Sequence, residues 1–264
     1  MSSDPVFHAE LPDPLPRRGD TFLLDGPEGR HASVVRRIRP GETVVLADGA
    51  GRAVTGPVVT TGKQTITVEV AEQLVEPAPQ VRFVVVQALA KADRGELAVE
   101  LLTEVGVTEI VPWQAARSIV RWSGERGVKG LARWRSTARE AAKQSRRLWA
   151  PTVAEPIDTT ELATRIAAAD IALLLHEDAT TPLATARLPA TGEVLLVVGP
   201  EGGISPDELA ALTAAGGQPT LLTPHVLRTS TAGVVACAGL MLRGVTETRR
   251  STPRHAGDTP PATS

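Results

Sequence analysis

The stretch V-V-G-P-E-G-G-I-S-P-D-E, Val197–Glu208, decides the fold of this chain. Its first residues end an unbroken apolar run, which is typical of a strand buried on both faces of a parallel sheet. Gly202 and Gly203 allow a sharp turn, because neither carries a Cβ. Ser205 and Glu208 then have the spacing of a capping box that begins a helix. The stretch predicts a strand, a glycine turn and a helix N-terminus, where open α/β sheets bind ligands.

A second stretch, L-L-T-P-H-V-L-R-T-S-T-A at Leu221–Ala232, repeats this plan about twenty residues later. It predicts a short strand at Pro219–Leu222, a loop, and a last helix capped by Thr229 or Ser230. Small residues on that helix predict close packing against another backbone: Ala232, Gly233, Ala236, Ala238 and Gly239. Either turn alone could be purely structural, since the spacing fits neither the dinucleotide fingerprint nor the P-loop. The paired layout favours a binding site.

Composition indicates a globular intracellular protein. The chain has 264 residues, 42% of them hydrophobic and 22% charged, which is enough for two domains with real cores. Its single cysteine, Cys237, excludes an internal disulfide and reads as a small buried hydrophobe. No apolar run has the length of a membrane span, and the N-terminus lacks a signal-peptide pattern. We therefore expect a cytoplasmic location and no membrane partner.

The first 72 residues predict a small β barrel or sandwich, because short strands alternate with glycine-rich turns. The expected strands are Thr21–Leu24, Thr43–Ala47, Ala53–Val59 and Thr65–Val70, with a short helix over Gly29–Arg37. Residues 73–81 contain two prolines and predict a linker. Residues 249–264 have no apolar anchor and predict a disordered tail.

Residues 82–248 predict an α/β domain, because apolar strands alternate with helices. The expected strands before the two motifs are Arg82–Leu89, Glu109–Val111 and Ile171–Leu175, and the expected helices are Arg94–Val105 and Val128–Leu148. Overall net charge is −2, but residues 82–149 hold 13 Lys and Arg against 7 Asp and Glu. This block is therefore the expected anion-facing surface.

The two motifs resemble those of the knotted SPOUT methyltransferases. Within that superfamily, the chain is similar to the family that methylates uridine N3 in 16S, small-subunit ribosomal RNA. The resemblance extends to K-A-D-R-G-E-L-A-V-E-L-L-T-E-V-G-V at 91–107, R-S at 117–118 and E-A-A-K-Q-S-R-R at 140–147. One departure is Ser230, where the family often has Glu. The resemblance implies a PUA-like RNA-binding barrel, a deep trefoil knot in the α/β domain, and a homodimer.

The resemblance also implies that S-adenosylmethionine lies among the loops of the knot. Backbone groups freed by the glycine turns would hydrogen-bond the adenine, and apolar side chains would sandwich it. The expected cofactor residues are Leu175, His176, Glu177, Val198, Gly199, Pro200, Glu201, Gly202, Gly203, Ile204, Leu222, Val226, Leu227, Arg228, Thr229, Thr231 and Ala232. No metal site is expected, because the five histidines lack ligand spacing with one another or with Cys237.

Arg228 and Glu201 are the candidate catalytic residues. Methylation at N3 requires loss of the N3 proton, and negative charge then spreads onto O2 and O4 of the base. Arg228 would stabilise that charge, and Glu201 would accept the proton or orient a polar group. Two other interpretations of Arg228 stay open, a phosphate clamp and a structural ion pair with Glu201.

A long basic helix is the candidate RNA surface. Arg135, Arg139 and Lys143 share one face, and Trp134 and Trp149 are candidates for stacking on bases. A solvated helix face is the alternative interpretation. The full set of expected RNA-binding residues is Arg36, Arg37, Arg117, Arg135, Arg139, Lys143, Arg146 and Arg147.

Two other functions stay open. A related class methylates ribose 2′-hydroxyls, although it usually has Asn near its last motif and lacks this N-terminal barrel. A non-catalytic RNA-binding assembly factor is the second alternative, and it need not bind S-adenosylmethionine. The expected partner of the favoured function is 16S ribosomal RNA, within the small ribosomal subunit.

Overall fold

The described part of the chain contains two six-stranded sheets. The computed structural model describes residues 4–251, with side chains described up to residue 243. One sheet belongs to the N-terminal third and the other to the rest of the chain. None of the described helices is both long enough and apolar enough to cross a bilayer.

The N-terminal domain is a six-stranded, mostly antiparallel sheet, so the predicted β domain is confirmed. Its strands are β1 Val6–His8, β2 Thr21–Leu24, β3 Thr43–Ala47, β4 Arg52–Thr61, β5 Ile66–Glu69 and β6 Glu72–Val75. The order is β1-β3-β4-β5-β2, and β6 pairs with β4. The predicted short helix begins earlier than expected, as α1 (Gly26–Arg30), and continues as a π-helical turn over His31–Val35.

The linker prediction for residues 73–81 is wrong at its start. Residues 72–75 form β6, which pairs antiparallel with β4 from Arg52 to Thr55. The two prolines that suggested a linker follow this strand, so they end it and do not prevent it. The connection between the two sheets therefore consists of the few residues between Val75 and Val81.

The larger domain is a parallel sheet with helices on both faces, as predicted. Its strands are β7 Val81–Ala88, β8 Glu109–Trp113, β9 Thr152–Val153, β10 Ile171–Leu175, β11 Gly192–Val198 and β12 Gln218–Thr220. The order is β12-β10-β11-β7-β8-β9, and every pair is parallel. Its helices are α2 Arg94–Val105, α3 Gly124–Gln144, α4 Thr159–Ala168, α5 Pro206–Ala214 and α6 Thr229–Ser251.

Two hydrophobic layers sandwich this sheet. Residues of α2, α3 and α6 pack on one face, and residues of α4 and α5 pack on the other. The small residues of α6 explain its close approach, since a Cβ on Gly233 would lie 3.2 Å from Leu102 and Val198. Cys237 is fully buried in this layer, and burial raises the pKa of its thiol to about 12.

Several elements differ from the predictions. Helix α3 starts four residues before the predicted Val128, because Ser123 leaves the chain extended just before Gly124. Helix α4 and strand β9 were not predicted. Of the predicted disordered tail, 249–251 continue α6, and 252–264 lie outside the described residues. The trefoil knot implied by the resemblance stays a prediction.

Candidate active site

Two adjoining hollows lie where β10 and β11 end. The first has a volume of about 290 Å³ and the second about 100 Å³. They share the lining residues Leu175, Glu177, Val226, Leu227 and Ala232, so they form one cleft, which we call the motif cleft. A larger hollow of about 550 Å³ lies elsewhere along β10, and none of the predicted site residues lines it.

The motif cleft brings together the three segments that the sequence singled out. They follow β10, follow β11, and precede α6. Every predicted cofactor residue lines the cleft except Gly202 and Thr231. Gly202 faces Arg117, whose Nη1 donates to the Gly202 carbonyl at 3.0 Å. The Thr231 hydroxyl donates to the Arg228 carbonyl at 3.1 Å, within the first turn of α6.

The glycine turn is stabilised by the backbone conformation of Gly203 and by the capping box that begins α5. Gly203 has a φ of +71°, a conformation that favours glycine. The predicted capping box is confirmed, because Ser205 accepts from the Glu208 N–H and Glu208 accepts from the Ser205 N–H. Glu208 also accepts from the N–H of Ala116 at 2.7 Å and the hydroxyl of Thr159 at 2.9 Å. Burial alone would raise the pKa of Glu208, but these hydrogen bonds lower it below its ordinary value.

A buried polar chain joins the two motifs. The Thr229 hydroxyl donates to the Gly199 carbonyl at 2.8 Å and accepts from Nε2 of Gln87 at 2.9 Å. Gln87 is fully buried at the end of β7, and its Oε1 has no partner among the described residues. Thr229 therefore holds α6 against the glycine turn while also lining the cleft. Gln87 is the polar residue in the otherwise apolar run F-V-V-V-Q-A, and this signal in the sequence could have identified it.

Both candidate catalytic residues open onto the motif cleft. Arg228 and Glu201 are exposed and line the larger hollow. Oε1 of Glu201 accepts from the N–H of Lys91 at 3.0 Å. No ion pair joins Arg228 to Glu201 among the described side chains, so the alternative of a structural pair gains no support.

The sequence interpretation missed Arg94, which starts α2 and lines the cleft. Arg94 belongs to the K-A-D-R segment that carried the resemblance, so the signal was present. Ala92 in the same segment has a φ of +57°, unusual for a residue with a Cβ. The segment with this turn thus contacts Glu201 through the Lys91 N–H and contributes Arg94 to the same hollow.

The comparisons with known proteins decide the family. A family model described as an RNA methyltransferase domain matches residues 76–241, and one described as an RNA methyltransferase PUA domain matches residues 24–71. The ribosomal RNA small subunit methyltransferase E of Mycobacterium bovis is 47% identical over 228 residues, which cover 85% of this chain and 87% of that protein. This chain belongs to the ribosomal RNA small subunit methyltransferase E family.

Other similar proteins align along most of this chain. The Bacillus subtilis protein is 28% identical over 90% of this chain and 98% of its own length. A Neisseria gonorrhoeae member bound to S-adenosylmethionine superposes with a TM-score of 0.80 at 30% identity, covering 91% of this chain and 98% of that one. A Legionella pneumophila methyltransferase in complex with the same cofactor superposes with a TM-score of 0.79 at 26% identity, covering 92% of this chain and 98% of that one. The N-terminal domain of this chain is accordingly a PUA domain.

The predicted RNA contact is wrong for two residues, Lys143 near the end of α3 and Arg147 just after it. The Lys143 side chain is 4% exposed, and its Nζ lies 2.7 Å from Glu28 of the PUA domain and from Glu140. Arg147 donates to the Thr103 carbonyl at 2.7 Å, and burial lowers the pKa of its guanidinium. Both cations are structural, because Lys143 is engaged by the PUA domain and Arg147 by α2.

The remaining expected RNA residues divide by exposure. Arg135 is half-buried and donates to the Val153 carbonyl and to Glu155, so it joins α3 to the segment around β9. The others are exposed: Arg36, Arg37, Arg117, Arg139 and Arg146. Their contact with RNA stays a prediction.

Neither tryptophan proposed for base stacking is available. Trp134 is 2% exposed and meets Trp122 edge-to-face at 5.1 Å between ring centroids. The indole of Trp149 covers Gly51 and donates to the Glu76 carbonyl at 3.1 Å. One tryptophan belongs to the core and the other to the contact between the domains.

Proposed function

We propose that this chain transfers a methyl group from S-adenosylmethionine to N3 of a uridine in 16S ribosomal RNA. The observation that carries the proposal is the convergence of three sequence segments on the motif cleft, with Arg228 and Glu201 opening onto it. Solved relatives with the same fold and 26–30% identity are bound to S-adenosylmethionine. Curated relatives that align along most of the chain are ribosomal RNA methyltransferases.

The residues of the motif cleft fit this cofactor. Apolar Leu222, Val226 and Leu227 offer surface for an adenine ring, and the glycine turn brings backbone groups close. Glu177 places a carboxylate in both hollows, where it suits a cationic ligand. Gly203 faces Glu177, since a Cβ there would lie 3.5 Å from its Oε1. S-adenosylmethionine supplies an electrophilic methyl carbon when bound.

The chain's own residues then act on the uridine. The Arg228 guanidinium stabilises the negative charge that develops on the base oxygens as N3 loses its proton. Glu201 accepts that proton or orients the base, and its Oε2 has no hydrogen-bond partner among the described residues. The hydrogen bond from the Lys91 N–H to Oε1 holds the Glu201 carboxylate in place, so its orientation is partly fixed before RNA binds.

The proposal also includes a homodimer acting on RNA of the small subunit in the cytoplasm, with the trefoil knot around the cofactor. Val235 and Leu242 are large apolar residues that are 42% and 69% exposed on α6. Gly239 lies between them on the helix, and a Cβ there would meet nothing within 4 Å. This surface of α6 would pair with a second copy.

Arg228→Ala tests the catalytic assignment. We expect kcat for N3 methylation to fall about 10²-fold or more, because one charge-stabilising group is lost. Binding of S-adenosylmethionine, measured by calorimetry, should change by only a few-fold. The control is Arg187→Ala, which removes an exposed arginine away from the motif cleft. Full activity in Arg228→Ala would remove Arg228 from the mechanism.

A further inference from the structure

A second surface, away from the motif cleft, combines apolar and basic side chains. It is a groove between the loop at 119–122 and the N-terminal half of α3, with a volume of about 700 Å³. We call it the α3 groove. Ile119 is 69% exposed in it, and half-buried Trp122 adds an aromatic edge. A large aliphatic residue this exposed within a cationic rim indicates a binding surface.

The rim of the α3 groove is cationic. Its charged residues are Arg121, Arg126, Lys129 and Arg133. Lys129 pairs with Glu125 at 2.6 Å, but both side chains are at least 70% exposed, so water screens the pair. Arg133 lies 3.6 Å from Glu96. No ion-pair partner of Arg126 is found among the described side chains, and the groove keeps a net positive charge.

The loop that carries Ile119 is held in place. The Trp122 N–H donates to Oε1 of Gln114 at 2.9 Å, and Arg121 donates to the Ala116 carbonyl at 2.9 Å. The Trp122 indole lies directly on Gly130, where any Cβ would collide with the ring. A preformed surface loses little conformational entropy when a ligand binds.

Two segments of the chain link the α3 groove to the motif cleft. Arg117 lies just before the loop, and its Nη1 reaches the carbonyl of Gly202 in the glycine turn. The segment before α2 forms the second connection, since Arg94 lines the cleft while Arg133 and Gly95 line the hollow next to the groove. A chain-like ligand in the groove would therefore run toward the cleft.

We propose that the α3 groove binds the single-stranded RNA segment that flanks the target uridine. The proposed function supplies the class of ligand, so this inference rests on it. The rim cations neutralise phosphates, and Ile119 with Trp122 offers apolar surface to unstacked bases. The groove thus takes the role that Lys143 and Arg147 cannot play, because the protein itself engages those two cations.

The test is RNA binding by the double variant Arg126→Ala/Lys129→Ala. Fluorescence anisotropy with a labelled single-stranded oligouridylate of about 12 nucleotides, from 50 to 200 mM salt, gives the salt dependence. We expect the slope of log affinity against log salt to shrink by about 1.4, since each lost phosphate contact on a single strand contributes about 0.7. In the methylation assay, KM for small subunits should rise about fivefold with kcat unchanged.

The control is Arg82→Ala/Arg187→Ala, which removes the same charge from exposed positions that line neither the α3 groove nor the motif cleft. An equal loss in both double variants, or no change in slope and KM, would overturn the proposal. A changed sedimentation coefficient with unchanged RNA binding would mean that a second copy occupies the groove, and would also overturn it. Failure of the wild-type chain to bind S-adenosylmethionine would count against the proposed function, while the oligouridylate slopes would still decide the groove.

Discussion

The two halves of α3 carry the same kinds of basic residues but differ in their surroundings. In the C-terminal half, Lys143 is buried against carboxylates, and its neighbourhood joins the PUA domain to the α/β domain. In the N-terminal half, Arg126 and Lys129 are exposed beside an apolar groove. A basic helix therefore marks an RNA surface only where its cations are not already engaged by the protein.

The difference arises from what packs against each half. The His8 ring meets the Arg139 carbonyl at 3.3 Å, and the Gly51 N–H donates to the Leu148 carbonyl, so the PUA domain covers the end of α3 and the loop after it. The first half of α3 has the loop at 119–122 and α2 as neighbours. Substitutions along α3 should therefore change the free energy of unfolding according to the position of the side chain in the helix, and not according to its charge.

The largest effect is expected at the middle of α3. Trp134→Ala should lower the free energy of unfolding by about 3–5 kcal/mol, because a fully buried indole is lost beside Trp122 and Gly95. Urea denaturation measures this, with the exposed Ser136→Ala as the control. A loss below about 1 kcal/mol would show that Trp134 is not part of the core.

A smaller effect is expected in the C-terminal half. Lys143→Ala should lower the free energy of unfolding by about 2 kcal/mol, because Glu28 keeps its charge in the domain contact without its partner. Arg139→Ala, one turn earlier and exposed, should change it by less than about 0.5 kcal/mol. Equal effects of the two variants in urea denaturation would erase the distinction between the buried and exposed cations.

The smallest effect is expected in the N-terminal half. Lys129→Ala should change the free energy of unfolding by about 0.3 kcal/mol, since it breaks only an exposed pair with Glu125. Thermal and urea unfolding of the variant should match the wild-type chain within error. A loss of 1 kcal/mol or more would mean that this half of α3 also has a structural role.

The sequence predicted what depends on local interactions. The glycine turn and the Ser205–Glu208 capping box follow from residues within one turn of each other, and both are confirmed. Helix α4 was missed although Asp158 and Glu161 form a capping box with the same spacing. That signal was present in the sequence and was not used.

Other features depend on partners far along the chain. Lys143 is buried because Glu28, 115 residues away, meets it across the domain contact. The residues of β6 look like a linker until β4 pairs with them. Small residues on α6 predicted close packing against another backbone without saying which one, and Gly233 and Ala236 pack within the chain's own core. No local pattern distinguishes these outcomes, because propensity and charge do not specify a distant partner.

We propose that the motif cleft supports methylation of uridine N3. The most direct measurement is nucleoside mass spectrometry of 16S ribosomal RNA from cells with and without this protein, digested to single nucleosides. We expect 3-methyluridine to be lost with the protein and restored by the wild-type chain but not by Arg228→Ala. Unchanged 3-methyluridine, or loss of a 2′-O-methylated nucleoside in its place, would contradict the account.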